Sequence, residues 1–139
     1  MKMKATGIVR RVDDLGRVVI PKEIRRSLKI KDGDPLEVFL EGNKVCFEKY
    51  SPIDAKNWEA AFRIAKVMLP NNKFALLNRY GEIEQTNVKM PTINKDDFSI
   101  EIMVNGDVEG YIQSLEPDVS HINFTDTAKV IGALFEEED

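Results

Sequence analysis

The sequence predicts an α+β chain in two parts, a β-β-α-β-β unit over residues 1–52 and an α-β-β-β-β-α unit over residues 53–139. Three observations carry that prediction. Short apolar/polar alternations recur on both sides of residue 50, a helical stripe begins at Asp54, and Ser51-Pro52 interrupts the chain between the two regimes. The charge changes at the same place. Residues 1–52 hold 12 Lys+Arg against 8 Asp+Glu, whereas residues 53–139 hold 8 against 16. Within residues 1–31 the ratio is 10 to 3, a local anion-binding surface on a chain of net charge −4.

Thr6 to Val12 alternates and reads as a first strand, and Arg17 to Ile20 as a second. Asp13-Asp14-Leu15-Gly16 is the turn between them, with Gly16 suited to a left-handed backbone. Pro21 opens a helix to Leu28, because proline fits a first helical position that needs no N–H. Ile24 and Leu28 share one face of it, and eight residues are too few for a helix that stands alone. Leu36–Glu41 and Lys44–Tyr50 alternate around Gly42-Asn43, a two-residue hairpin signal. A unit this small buries too little surface as a monomer, so oligomerisation is its natural remedy.

In the second part, Asp54 to Leu69 carries Trp58, Phe62, Ala65 and Leu69 on one helical stripe, stopped by Pro70-Asn71-Asn72. Lys73–Asn78 and Glu82–Asn87 read as strands, followed by a loop from Val88 to Asp97. Phe98, Ile100, Ile102 and Val104 face one way on a third strand, and Asn105-Gly106 turns it into a fourth from Val108 to Leu115. Thr125 or Asp126 is expected to cap a last helix whose apolar positions are Val130, Ile131, Leu134 and Phe135.

Several function classes are excluded or weakened. Apolar runs reach only four residues, far short of the 18 or so that span a membrane, and no apolar region follows the basic start to make a secretory signal. The expected setting is the cytoplasm, with no membrane partner. One cysteine, Cys46, and one histidine, His121, leave no disulfide framework and little for a metal site. Cys46 reads as a small buried hydrophobe, and His121 as a surface residue in a loop with no catalytic motif around it. Asp13-Asp14 and Asp96-Asp97 sit in turns, where aspartate is common for backbone reasons, and no glycine-rich phosphate loop is present. The chain is not expected to be an enzyme or to carry a cofactor or metal.

The arginines point elsewhere. Arg10 and Arg11 lie on the first strand, Arg17 follows the glycine turn, and Arg25-Arg26 lie on the short helix. Arginine suits bidentate contact with phosphate oxygens and guanine edges, and a two-fold dimer would double the set. The bland alternative pairs them with Asp13, Asp14 and Glu23, but three acids cannot neutralise ten basic residues. The stretch from Ala5 through Gly7-Ile8-Val9-Arg10-Arg11-Val12-Asp13-Asp14-Leu15-Gly16-Arg17-Val18-Val19-Ile20-Pro21-Lys22-Glu23-Ile24-Arg25-Arg26 resembles the start of the AbrB/SpoVT family of bacterial transcription factors. The resemblance continues through Gly33-Asp34-Pro35-Leu36-Glu37 and Glu48-Lys49-Tyr50-Ser51-Pro52, about the first fifty residues. It implies a swapped-hairpin fold in which two chains interleave their strands into one dimeric β-barrel that binds double-stranded DNA. The family's DNA-contacting arginines match Arg10, Arg17, Arg25 and Arg26, with Arg11, Lys4, Lys22 and Lys29 as auxiliary phosphate contacts.

Members of the SpoVT type carry a GAF-like sensor domain after this unit, and residues 53–139 resemble a shortened one, reduced around Val88 to Asp97. Tyr80, Met90, Phe98, Met103 and Tyr111 are the candidates to line a small-molecule pocket there. A domain that only oligomerises, to a homodimer or homotetramer, or that docks a protein partner, is the plainer alternative. The runner-up from another class is a MazE-like antitoxin, which shares the N-terminal fold and neutralises a toxin with an acidic C-terminal half. The alternating strands of residues 98–115 argue against an extended tail. The resulting expectation is a nucleoid-associated transcription regulator.

Overall fold

A computed structural model of the chain describes residues 5–137. The order of elements is α1 (Lys22–Ser27), β1 (Leu36–Glu41), β2 (Lys44–Lys49), α2 (Ala55–Met68), β3 (Phe74–Asn78), β4 (Ile83–Thr86), β5 (Ser99–Val104), β6 (Asp107–Ser114) and α3 (His121–Glu136). The chain divides into two compact units between Tyr50 and Ser51.

The first unit has α1 and one antiparallel hairpin, β1–β2, in the register Leu36↔Lys49 to Glu41↔Lys44. Gly42 opens its two-residue turn at φ +61°, a conformation that needs glycine at that position. The two strands expected at Thr6–Val12 and Arg17–Ile20 are absent, so the single chain reads α-β-β here rather than β-β-α-β-β. Neither segment is paired with a strand of its own chain, and backbone without a ladder partner forms no sheet. Their apolar side chains are largely uncovered as well. Val9 is 84% exposed, Val12, Leu15, Val18 and Val19 are also exposed, and the apolar core begins only at Ile53.

The second unit is a four-stranded antiparallel sheet in the order β4-β3-β6-β5, with α2 and α3 packed on it. Phe74 and Leu76 of β3, Ile112 of β6 and Ile102 and Val104 of β5 meet Trp58, Ala61, Ala65 and Leu69 of α2 and Phe124, Ala128, Ile131 and Phe135 of α3. Trp58 and Phe135 touch edge to face at 5.1 Å. Between Ile102↔Gly110 and Met103↔Val108 the register skips Glu109, a bulged residue buried beside Arg79 at 3.5 Å. Its carboxyl is raised above the ordinary glutamate range, chiefly because burial disfavours the charged form.

Both longer helices are capped by side chains. Asp54 accepts from the Asn57 N–H at 2.9 Å, and Ser120 accepts from the Asn123 N–H at 3.4 Å. The cap of α3 is thus Ser120, not Thr125 or Asp126, which lie inside the helix. Exposed Ile122 hides the first turn from a search for amphipathic spacing, and the true core stripe is Phe124, Ala128, Ile131 and Phe135. His121 therefore begins α3 rather than lying in a loop, stacked on Phe98 with ring centres 3.8 Å apart. Cys46 is half-buried, not a core residue.

Close approach of α3 to the sheet depends on Gly132, where an added Cβ would meet the Met103 carbonyl oxygen. A backbone oxygen cannot swing aside as a side chain does. Gly132→Ala is expected to cost about 1–3 kcal/mol of stability, seen as a lower urea midpoint with unchanged helix content before the transition.

Candidate nucleic-acid interface

The basic candidates of the first unit sit on three short pieces of backbone. The first is the turn. The Asp13 carboxylate accepts from the Leu15 N–H at 2.9 Å and the Arg17 N–H at 2.8 Å, while its second oxygen accepts from Arg17 Nε at 2.8 Å. The Asp13 N–H donates to the Arg17 carbonyl at 2.9 Å, and Gly16 takes φ +78°. Asp13 is therefore the clasp of the turn that presents Arg17. Its pKa lies below the ordinary 3.8, first because of the Arg17 backbone N–H and then the Arg17 side chain and the Leu15 N–H. Pairing with acids, the bland alternative for the arginines, thus holds in part for Arg17.

The second piece is α1. Arg25 is half-buried, and its Nε donates to the Ile20 carbonyl at 3.1 Å, which ties the helix to the segment before it. Arg26 and Lys22 are exposed. The helix ends in a Schellman turn: the Ile30 N–H donates to the Arg25 carbonyl at 2.8 Å and the Lys29 N–H to the Arg26 carbonyl at 3.2 Å. Lys29 holds the left-handed position of that turn at φ +57°, a place where glycine is usual. The third piece is the opening segment, where Arg10 and Arg11 are exposed and Arg10 Nη1 donates to its neighbour's carbonyl, Val9 O, at 3.3 Å. Lys4 lies outside the described residues.

Among the described residues, Arg11, Lys22, Arg26 and Lys29 make no side-chain hydrogen bond or ion pair. Arg10 also borders an apolar cleft of about 400 Å³ lined by Ile8, Val18, Ile24, Leu28 and Phe47. Cationic groups thus stand beside unsatisfied apolar surface. Two features escaped the sequence reading: the Asp13–Arg17 clasp, signalled by an aspartate four residues before an arginine across a glycine turn, and the backbone role of Lys29. The five candidates for a small-molecule pocket do not converge. Phe98 borders a cleft with His121, Met103 borders a different one against α3, and Met90 is 87% exposed.

Comparison with known proteins bears on the same stretch. The family model described as "Antidote-toxin recognition MazE, bacterial antitoxin" matches residues 9–53. Stage V sporulation protein T of Bacillus subtilis (strain 168) is 71% identical over 52 residues, covering 37% of this chain and 29% of that protein. The transition state regulatory protein AbrB of the same organism is 56% identical over 52 residues, covering 37% of this chain and 54% of that protein. The N-terminal region matches the AbrB/SpoVT family. Two solved structures match the same AbrB-type region. The solution structure of the N-domain of the transcription factor abrB is 55% identical, covers 37% of this chain and 98% of that one, and has a TM-score of 0.34. The N-terminal DNA recognition domain of the Bacillus subtilis transition-state regulator AbrB is 56% identical, covers 36% and 94%, and has a TM-score of 0.31. The chain spans 29% of the sporulation protein and about half of AbrB, so the likeness concerns this region alone. Every described basic candidate lies within residues 9–53, the span of the matching family model.

The clasp has a pH signature. A carboxylate whose folded pKa is depressed contributes its stabilisation above its unfolded pKa and loses it as pH falls through the folded value. On acidification from pH 5 to below the lowered pKa of Asp13, the amide resonances of Leu15 and Arg17 are expected to move together. Asp13→Asn should abolish that titration.

Proposed function

We propose that the chain is a DNA-binding transcriptional regulator whose first unit grips duplex DNA as an interleaved pair. The observation that carries this reading is the joint exposure, within residues 9–53, of uncompensated cations and of apolar side chains that find no core in their own chain. A second copy supplies both missing parts. Its strands give Thr6–Val12 and Arg17–Ile20 ladder partners, and its apolar residues fill the cleft beside Arg10. The two-fold axis then doubles Arg10, Arg17, Arg25 and Arg26, and duplex DNA with a pseudo-palindromic site presents phosphates with the same symmetry. Arg11, Lys22, Lys29 and Lys4 add phosphate contacts. Identity to proteins named as a transition state regulator and a sporulation protein supports the reading.

The second unit serves to hold the assembly together and to receive a signal from a small molecule or a protein, in the manner of a shortened GAF-like domain. An antitoxin reading is favoured by the description of the matching family model. It requires a C-terminal half that lies extended along a toxin, whereas residues from Ile53 to Phe135 close a core of their own. Limited proteolysis separates the two, since a folded unit resists cleavage and an extended tail does not.

Binding to a mixed-sequence duplex across a salt series tests the arginine surface. Arg25→Ala is expected to weaken binding by about 1 kcal/mol or more and to flatten the dependence on salt by roughly one ion per substituted contact. A chain that ignores DNA at low salt, or a variant identical to wild type, would falsify the assignment.

A further inference from the structure

The second unit is acidic overall, yet the outer face of α2 is not. At 100° per residue, Trp58, Ala61 and Ala65 point into the core and the opposite side is centred on Arg63, flanked by Lys56 and Lys66. All three are exposed, and Glu59 is the only acid among them. Glu59 lies four residues before Arg63, the spacing that favours an ion pair, but no such pair forms. Among the described residues none of the three cations meets a carboxylate. Lys66 instead lies over the Phe62 ring, its Nζ 4.6 Å from the ring centre, a contact that leaves its charge without a neutralising carboxylate. The contrast lies in the same unit, where Arg79 is paired with Glu109. Three of the eight Lys+Arg of residues 53–139 are therefore gathered, unneutralised, on one helical face.

That face belongs to the helix that follows the AbrB-type region directly. Lys49, the end of β2, and Lys56 are seven positions apart in the chain, and a fully extended chain of that length spans at most about 25 Å. The start of α2 is thus held by a short covalent tether to the unit proposed to grip the duplex. A duplex carries a phosphate every 3.4 Å along each strand, so a cationic face tethered to a bound unit has a continuous row of anions to meet.

We infer that Lys56, Arg63 and Lys66 form a second phosphate-binding surface, which contacts the DNA backbone flanking the segment held by the first unit. The inference rests on the proposed DNA binding of residues 1–52 and extends the footprint beyond them. Glu59 sets its limit, since one acid within the face keeps it a supplementary contact. Its contribution is independent of sequence and strongly dependent on salt, as lysine and arginine contacts to phosphate are.

The test uses the full chain and a 30-base-pair duplex of mixed sequence, with affinity followed across a salt series. The variants are Lys56→Gln/Arg63→Gln/Lys66→Gln and, as a control of equal kind, Lys89→Gln/Lys95→Gln, which removes two exposed loop cations of the same unit. The α2 variant is expected to lose at least tenfold in affinity at low salt and to lower the slope of log K against log salt by two or more. The loop variant should stay within twofold of wild type. An α2 variant that folds and binds like wild type overturns the inference, and so does an equal loss per charge in the loop variant, which would reduce the effect to net charge. Sedimentation of the same variants supplies the third arm: a change in assembly state without a change in salt slope makes the face a self-association surface and likewise overturns it. A wild-type chain that does not bind the duplex overturns the underlying DNA reading itself, a separate and recognisable failure.

Discussion

Residues 5–50 fold around a deficit. A short helix and one hairpin cannot shield Val9, Val12, Val18, Val19, Val38 and Phe47 from water, and all six remain exposed. Burying such side chains is worth about 1.5–3 kcal/mol each, so the unit gains most of its stability only when another surface covers them. The requirement also explains the backbone. The two segments flanking the Asp13–Arg17 turn join no sheet of their own chain, and under the proposed pairing a second copy would supply both their ladder partners and cover for their side chains. Dimerisation is in this account the condition for a core, and the paired cationic surface follows from it.

The second unit faces no such deficit. Its sheet and two helices close over a continuous core, and Gly132 is the position that lets α3 come close enough to do so. The charges follow the same division of labour. A basic first unit and the basic outer face of α2 adjoin along the chain, while acidic residues dominate the rest. Under the proposed DNA binding, an acidic remainder would discourage indiscriminate docking and favour the surfaces where cations stand unpaired.

How much of this was legible in the sequence depended on where the partners of each element lie. β1, β2 and the four strands of the second unit pair with neighbours in the same chain, and their spans fall within a residue or so of the expected ones. Thr6–Val12 and Arg17–Ile20 alternate just as clearly, but periodicity records a side chain's need for cover and not which chain supplies it. The start of α3 was misread for a local reason: Ile122 is apolar yet exposed, so the first turn lacks the expected spacing. At the candidate interface, residue type and spacing marked the arginines. The clasp on Arg17, the tie from Arg25 to Ile20 and the left-handed Lys29 are backbone geometry, which residue type alone does not display.

The central claim is that the first unit acquires its core from a second copy. Its most direct test is nuclear magnetic resonance on a mixture of isotope-labelled and unlabelled chains, reading contacts between copies. The account predicts intermolecular contacts from the methyl groups of Val18 and Val19 and from the Phe47 ring, together with amide protection across Thr6–Val12. A monomer that binds duplex DNA with those methyl groups still in water would contradict it.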